Sequence, residues 1–172
     1  MKKVFITGAD GFIGSHIVEK LALSNKYEIK TLALYNHMNT YGWLDNIDKN
    51  IKKKIEIVSG DIKDYKFINN SIKNSNYVIN LAALIGIPYS YDASQSYIDT
   101  NILGTHNILN ACLENSVEKI IQTSTSEVFG SYASSEKLSE KSFQYAQSPY
   151  AATKIASDQL CNSYYSSYNL PV

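Results

Sequence analysis

The stretch Thr7-Gly8-Ala9-Asp10-Gly11-Phe12-Ile13-Gly14 follows directly on the apolar triplet Val4-Phe5-Ile6 and runs into a helical apolar spacing at Phe12, Ile13, Ile17 and Leu21. A buried strand, a turn with glycines at every third position and then a helix can be folded in few ways. Gly8 permits a sharp exit from the strand, and Gly11 lets the backbone approach a diphosphate with no Cβ in between. Gly14 lets the helix lie close on the strand. Free N–H groups and partial positive charge at the helix start favour an anion there. Glycines also serve plain turns, so the place of this pattern carries the argument. It opens the first strand–helix junction, where a doubly wound sheet holds a dinucleotide.

The rest of the chain repeats that alternation. Further strands are predicted at 28–34, 55–58, 77–81 and 119–122, and helices at 12–23, 65–73, 96–115 and 149–168. Alternating strands and helices imply an α/β fold with a parallel sheet covered on both faces. Right-handed crossovers then make it a doubly wound, Rossmann-type sheet. The length of 172 residues, 44% of them hydrophobic, fits one domain over 1–172 with a core of its own. Two polar-aromatic connections, 35–53 and 124–148, are long, and the serine-rich 131–139 reads as loop. Long loops at the carboxyl ends of parallel strands are where such sheets place ligands. Tyrosine is plentiful, with 14 residues, and Tyr35, Tyr41, Tyr132 and Tyr145 fall in these connections, either as half-buried phenols with polar partners or as stacking surfaces for a sugar or base.

Charge and composition narrow the partners. With 16 Lys+Arg against 16 Asp+Glu, the chain has no broad footprint for nucleic acid or an anionic membrane. The run Lys52-Lys53-Lys54 reads as a solvated turn. Met1-Lys2-Lys3 followed by Val4-Phe5-Ile6 starts like a signal peptide, but the apolar run stops at Thr7-Gly8. No stretch approaches the ~20 apolar residues of a membrane span. Cys112 and Cys161 lack a paired spacing, which favours a reducing, cytoplasmic setting. His16, His37 and His106 share no ligand spacing, so no metal site is expected.

Tyr150 and Lys154 are an i,i+4 pair on the last predicted helix and share a face. A free phenol keeps its proton to about pH 10, and a neighbouring ammonium favours the phenolate. Thr125, after the fifth strand, can hydrogen-bond a substrate hydroxyl or carbonyl. Glu127, two residues on, is a candidate base for a carbon-bound proton. The plainer alternatives are a surface helical pair for Tyr150 and Lys154, and a backbone-capping loop carboxylate for Glu127.

The GxxGxxG spacing resembles the extended short-chain dehydrogenase/reductase superfamily, in its NAD-dependent epimerase/dehydratase branch. Asp61-Ile62, Leu81-Ala82-Ala83 and Asn101 with Gly104-Thr105 are similar to further segments of that branch. The resemblance implies cofactor contacts from Gly8, Asp10, Gly11, Phe12, Ile13 and Gly14. It adds Asp61 and Ile62 at the adenine, a small-residue floor at Leu81, Ala82 and Ala83, and Asn101, Thr123, Tyr150 and Lys154. An acidic residue about 20 positions beyond the glycines marks NAD over NADP, but that position holds Ala33. Tyr35, Asn36 or His37 then remain to meet the ribose. NAD is the expected cofactor because no 2′-phosphate clamp is visible, with NADP left open.

Glu127 resembles the glutamate of dehydratase and decarboxylase members, and Ser126 stands where many hexose dehydratases have an Asp, as in the GDP-mannose dehydratase type. The segments 34–45 and 82–91 resemble nucleotide-linked N-acetylglucosamine 4,6-dehydratases of legionaminic acid pathways. The resemblance implies a UDP- or GDP-linked sugar substrate near 85–91, with Trp43 near the cofactor or the rim. A 4-epimerase and a non-catalytic NAD(P)-binding module are the alternatives. Family members continue beyond the equivalent of Pro171-Val172, so the chain is expected to stop before the last core strand and the substrate-binding part. The resemblance also implies a homodimer through the helices at 96–115 and 149–168.

Overall fold

Five strands form one sheet: β1 (Lys2–Thr7), β2 (Tyr27–Leu34), β3 (Ile55–Gly60), β4 (Tyr77–Asn80) and β5 (Lys119–Gln122). Their order is β3-β2-β1-β4-β5 and every neighbouring pair is parallel. The order reverses at β1, which opens a crevice at the carboxyl ends of β1 and β4. The computed structural model describes residues 1–131 and 137–172, so the loop reading of 131–139 falls at 132–136 outside the described residues.

The helices are α1 (Phe12–Ser24), α2 (Lys49–Lys52), α3 (Tyr65–Ile72), α4 (Ile87–Asp92), α5 (Ser94–Tyr97), α6 (Gly104–Glu114) and α7 (Pro149–Tyr168). Alternation along β1 divides the core between the two faces of the sheet. Val4 and Ile6 pack with Val18, Ala22, Ile29, Leu44 and Ile51. Phe5 packs with Ile68, Ile72, Val78, Ile108, Leu109 and Ile120. Each such buried side chain contributes roughly 1.5–3 kcal/mol relative to exposure.

Three local readings change. α1 lies where the apolar spacing put it, yet its buried residues are Gly14, Ser15, Val18 and Ala22. Small side chains face the sheet because the helix lies close, and Phe12 and Ile13 are left 59% and 61% exposed. The predicted helix at 96–115 begins earlier and is broken: α5 passes through a π-turn at Ile98–Leu103 into α6. A π-turn of this kind often marks a functional site. The loops at 35–53 and 124–148 hold short 3-10 turns at Gly42–Asn46 and Ser126–Phe129, and Pro88 starts α4 within 85–91.

Cys112 and Cys161 are free and buried, and desolvation raises both thiol pKa values, Cys161 to about 11. Among the described residues, no helix is long and apolar enough to cross a membrane. Among the same residues, no group of three or more His, Cys, Asp or Glu could hold a metal ion.

Candidate active site

A cavity of about 990 Å³ opens at the carboxyl ends of the strands. One wall is the glycine turn, with Gly8, Asp10, Gly11, Phe12, Ile13 and Gly14. The ends of β2 and β3 add Leu34, Gly60, Asp61, Ile62 and Lys63. Leu81, Ala82, Ala83, Leu84 and Ile85 follow from β4, and Thr123, Ser124, Thr125 and Glu127 from β5. Tyr150 and Lys154 close it from α7.

The floor depends on close backbone contact. Gly8 has φ 64°, and a Cβ there would lie 2.7 Å from Ala82 N. At Gly14 a Cβ would lie 2.1 Å from Gly8 O. A buried polar chain levels the strand ends: Thr7 Oγ1 donates to Asn80 Oδ1, and Asn80 Nδ2 donates to Gln122 Oε1 at 2.7 Å. Thr7 Oγ1 also accepts from Ala82 N at 3.2 Å. No side chain caps α1 at Gly11, and Ser15 N is the first to donate back along the helix, to Gly11 O at 3.0 Å. The N–H groups of Phe12, Ile13 and Gly14 thus lack intrahelical acceptors, and all three residues line the cavity. This cradle fits a dinucleotide diphosphate, with N–H groups and the helix dipole directed at the anion.

Three residues expected at the cofactor do not line the cavity. Tyr35 is 71% exposed outside it. Asn36 closes its own loop: Nδ2 donates to Thr40 O at 2.8 Å and Oδ1 accepts from Met38 N at 3.1 Å. Asn101 is buried and ties other segments together. Its Oδ1 accepts from Leu84 N at 2.8 Å, and its Nδ2 donates to Leu84 O and Thr153 Oγ1, each at 3.0 Å. Polar type and position suggested these side chains for the ligand, but the amides of Asn36 and Asn101 are bonded within the protein. Trp43 does not line the cavity but packs edge-on to Phe12, which does, with ring centroids 5.2 Å apart.

Thr125, Glu127, Tyr150 and Lys154 all line the one cavity. Ser148 caps α7, its Oγ accepting from Ala151 N at 3.0 Å, with Pro149 opening the first turn. That cap fixes where Tyr150 and Lys154 emerge. Tyr150 is 7% exposed and packs edge-on to Tyr97 at 6.2 Å between ring centroids. Tyr97 is held in turn by its hydroxyl, which donates to Gly86 O at 2.5 Å, and burial raises its pKa. Thr125 Oγ1 caps the 3-10 turn by accepting from Glu127 N at 3.3 Å, leaving the exposed Glu127 carboxylate beside the cavity. Lys154, 4% exposed, donates to Thr123 O at 2.6 Å.

The sequence also carried a signal one turn further along α7. Asp158 is i+4 from Lys154, and it accepts from Ser124 Oγ at 2.5 Å. Burial lowers the Lys154 pKa while the Asp158 charge opposes that shift. Burial raises the Asp158 pKa, with Ser124 and Lys154 pulling it back. Replacing Asp158 by Asn removes the anion that supports the ammonium, so the Lys154 titration is expected to move to lower pH. Amine-selective NMR of Lys154 across a pH series checks this, and an unmoved titration would show that solvent screens the carboxylate.

The chain is similar to known nucleotide-sugar dehydratases and epimerases. A family model described as GDP-mannose 4,6 dehydratase matches residues 5–172. The dTDP-D-glucose 4,6-dehydratase of Dictyostelium discoideum is 30% identical, over 100% of this chain and 42% of that protein. Among solved structures, the dTDP-glucose 4,6-dehydratase DesIV of Streptomyces venezuelae, with NAD bound, superposes with a TM-score of 0.88 at 29% identity. That match covers 98% of this chain and 53% of DesIV. The UDP-N-acetylglucosamine 4-epimerase of Methanobrevibacter ruminantium gives 0.86 at 30% identity, covering 98% and 52%. The chain spans about half the length of the relatives it matches. With the fold, the glycine cradle and a match over nearly every residue in hand, the chain belongs to the GDP-mannose 4,6 dehydratase family of NAD-dependent epimerases and dehydratases.

Proposed function

We propose that this chain is the cofactor-binding and catalytic domain of an NAD-dependent nucleotide-sugar 4,6-dehydratase acting on a UDP- or GDP-linked N-acetylglucosamine. The observation that carries this reading is the placing of Glu127 on the same cavity as Thr125, Tyr150 and Lys154. Hydride transfer at one carbon needs only the tyrosine and lysine, whereas elimination also needs a base for the neighbouring carbon. NAD, when bound along the glycine turn, supplies the hydride acceptor at carbon 4 and the donor that later reduces carbon 6.

The chain's own residues move the protons. Tyr150 Oη takes the proton of the 4-hydroxyl, with Lys154 favouring the phenolate and Thr125 Oγ1 orienting the oxygen. Once carbon 4 is a ketone, the carbon-5 proton is acidic. Glu127 removes it while the 6-hydroxyl leaves as water. With Ser126 beside it, Glu127 is the acid that protonates that leaving group. As carbon 6 is reduced, carbon 5 takes a proton from solvent and Tyr150 releases its proton to solvent, which gives a 4-keto-6-deoxy sugar. The exposed Leu103, Tyr165 and Tyr168 on and beside α6 and α7 support a homodimer through those helices, which sedimentation of the chain tests.

Incubation with candidate nucleotide sugars in deuterated water tests the chemistry. The expected result is a 4-keto-6-deoxy product carrying deuterium from carbon-5 exchange. Glu127→Gln is expected to abolish the exchange with NAD affinity unchanged. A 4-epimer with no keto species would make the protein an epimerase, and cofactor binding without sugar turnover would make the chain a binding module. Exchange retained in Glu127→Gln would take Glu127 out of the mechanism.

A further inference from the structure

The end of β2 lacks the carboxylate that selects NAD in sheets of this kind, and the structure shows why no neighbour on β2 replaces it. Ala33, at the expected position, is fully buried, so its side chain cannot reach a ligand. Leu34 is apolar, Tyr35 is exposed and does not line the cavity, and the Asn36 amide is spent on its own loop.

A carboxylate nevertheless stands there, brought from the glycine turn. Asp10 Oδ2 accepts from Leu34 N at 3.0 Å, which holds the side chain against the last residue of β2. Its backbone is held from the other side, with Asp10 O accepting from Trp43 N at 2.9 Å. Gly42 packs so closely that a Cβ would come within 2.5 Å of that same oxygen. Asp10 lines the cavity beside Leu34 and Asp61, and its Oδ1 has no hydrogen-bond partner among the described residues. On this side of the cavity the lining cation is Lys63, and it is paired with Asp61 Oδ2 at 3.3 Å.

We infer that Asp10 takes over the selection of NAD against NADP, its free oxygen accepting from the 2′-hydroxyl of the adenosine ribose and its charge repelling a 2′-phosphate. The inference rests on the dinucleotide reading of the cavity given above. A ribose hydroxyl donates to the carboxylate, whereas a phosphate at the same place sets two anions together with no free cation between them.

Calorimetric titration of the purified chain with NAD and with NADP is the test, and it needs no turnover. The wild type is expected to bind NAD at least about tenfold more tightly than NADP. Asp10→Asn keeps an acceptor for Leu34 N and removes the charge, so it is expected to narrow the ratio to about threefold or less, chiefly by tightening NADP. Equal or tighter binding of NADP by the wild type overturns the inference without any variant. So does an unchanged ratio in a folded Asp10→Asn or Asp10→Ser protein. If neither dinucleotide binds the wild type, the cofactor reading itself falls and the selectivity falls with it.

Discussion

Tyr150→Phe is expected to lower nucleotide-sugar turnover by about 10²–10⁴-fold, the usual contribution of a positioned acid–base group. The substitution removes one oxygen and leaves the ring, its edge-on contact with Tyr97 and the Ser148 cap in place. NAD affinity and thermal stability should therefore stay near wild type, and steady-state kinetics beside calorimetry separates the two effects. Tyr150 is the group assigned to the first proton, so epimerisation and dehydration would fall together. Loss of dehydration alone would move the first proton transfer elsewhere. The contrast with Glu127→Gln then orders the steps, since only the tyrosine variant should block oxidation at carbon 4.

Gly14→Ala is expected to destabilise the fold strongly. The new carbon would lie 2.1 Å from Gly8 O and 2.7 Å from Ala9 Cα, both backbone atoms that cannot swing aside. α1 must move away from the turn, at a cost of about 3 kcal/mol. For a chain of this size that corresponds to a fall in melting temperature of roughly 6–12 °C. Displacing the start of α1 also turns the N–H groups of Phe12 and Ile13 away from their anion, so NAD affinity should drop by about tenfold or more. Gly86→Ala is the control, because its Cβ would meet Tyr97 Oη only at 3.5 Å. A melting temperature unchanged in Gly14→Ala would mean that the turn and α1 yield more easily than their packing indicates.

The sheet was legible in the sequence because parallel strands leave short apolar runs; Val4-Phe5-Ile6 is buried on both faces, and Ile120-Ile121 reads the same way although Ile121 faces solvent. The face that α1 buries was not legible. Periodicity counts large apolar residues as core, but Gly14, Ser15 and Ala22 are what a close helix–sheet approach admits. Phe12 and Ile13 are apolar for the cavity instead. The same limit applies to polar residues. Asn36 and Asn101 have the right type and place for a ligand, and only coordinates show that their amides are already bonded within the protein. Asp158 was within reach, since an acid four residues after a buried lysine is a helical neighbour whatever the fold.

One side-chain amide joins positions 84, 101 and 153, which belong to the strip after β4, the π-turn and the helix bearing Tyr150. The strip proposed to face the sugar and the helix carrying Tyr150 therefore share this amide as an anchor. A substitution that reshapes the strip to admit a different sugar transmits its displacement to the tyrosine. Substrate range in this scaffold should then be altered more safely at Ile85, which lines the cavity without entering that anchor, than at Leu84.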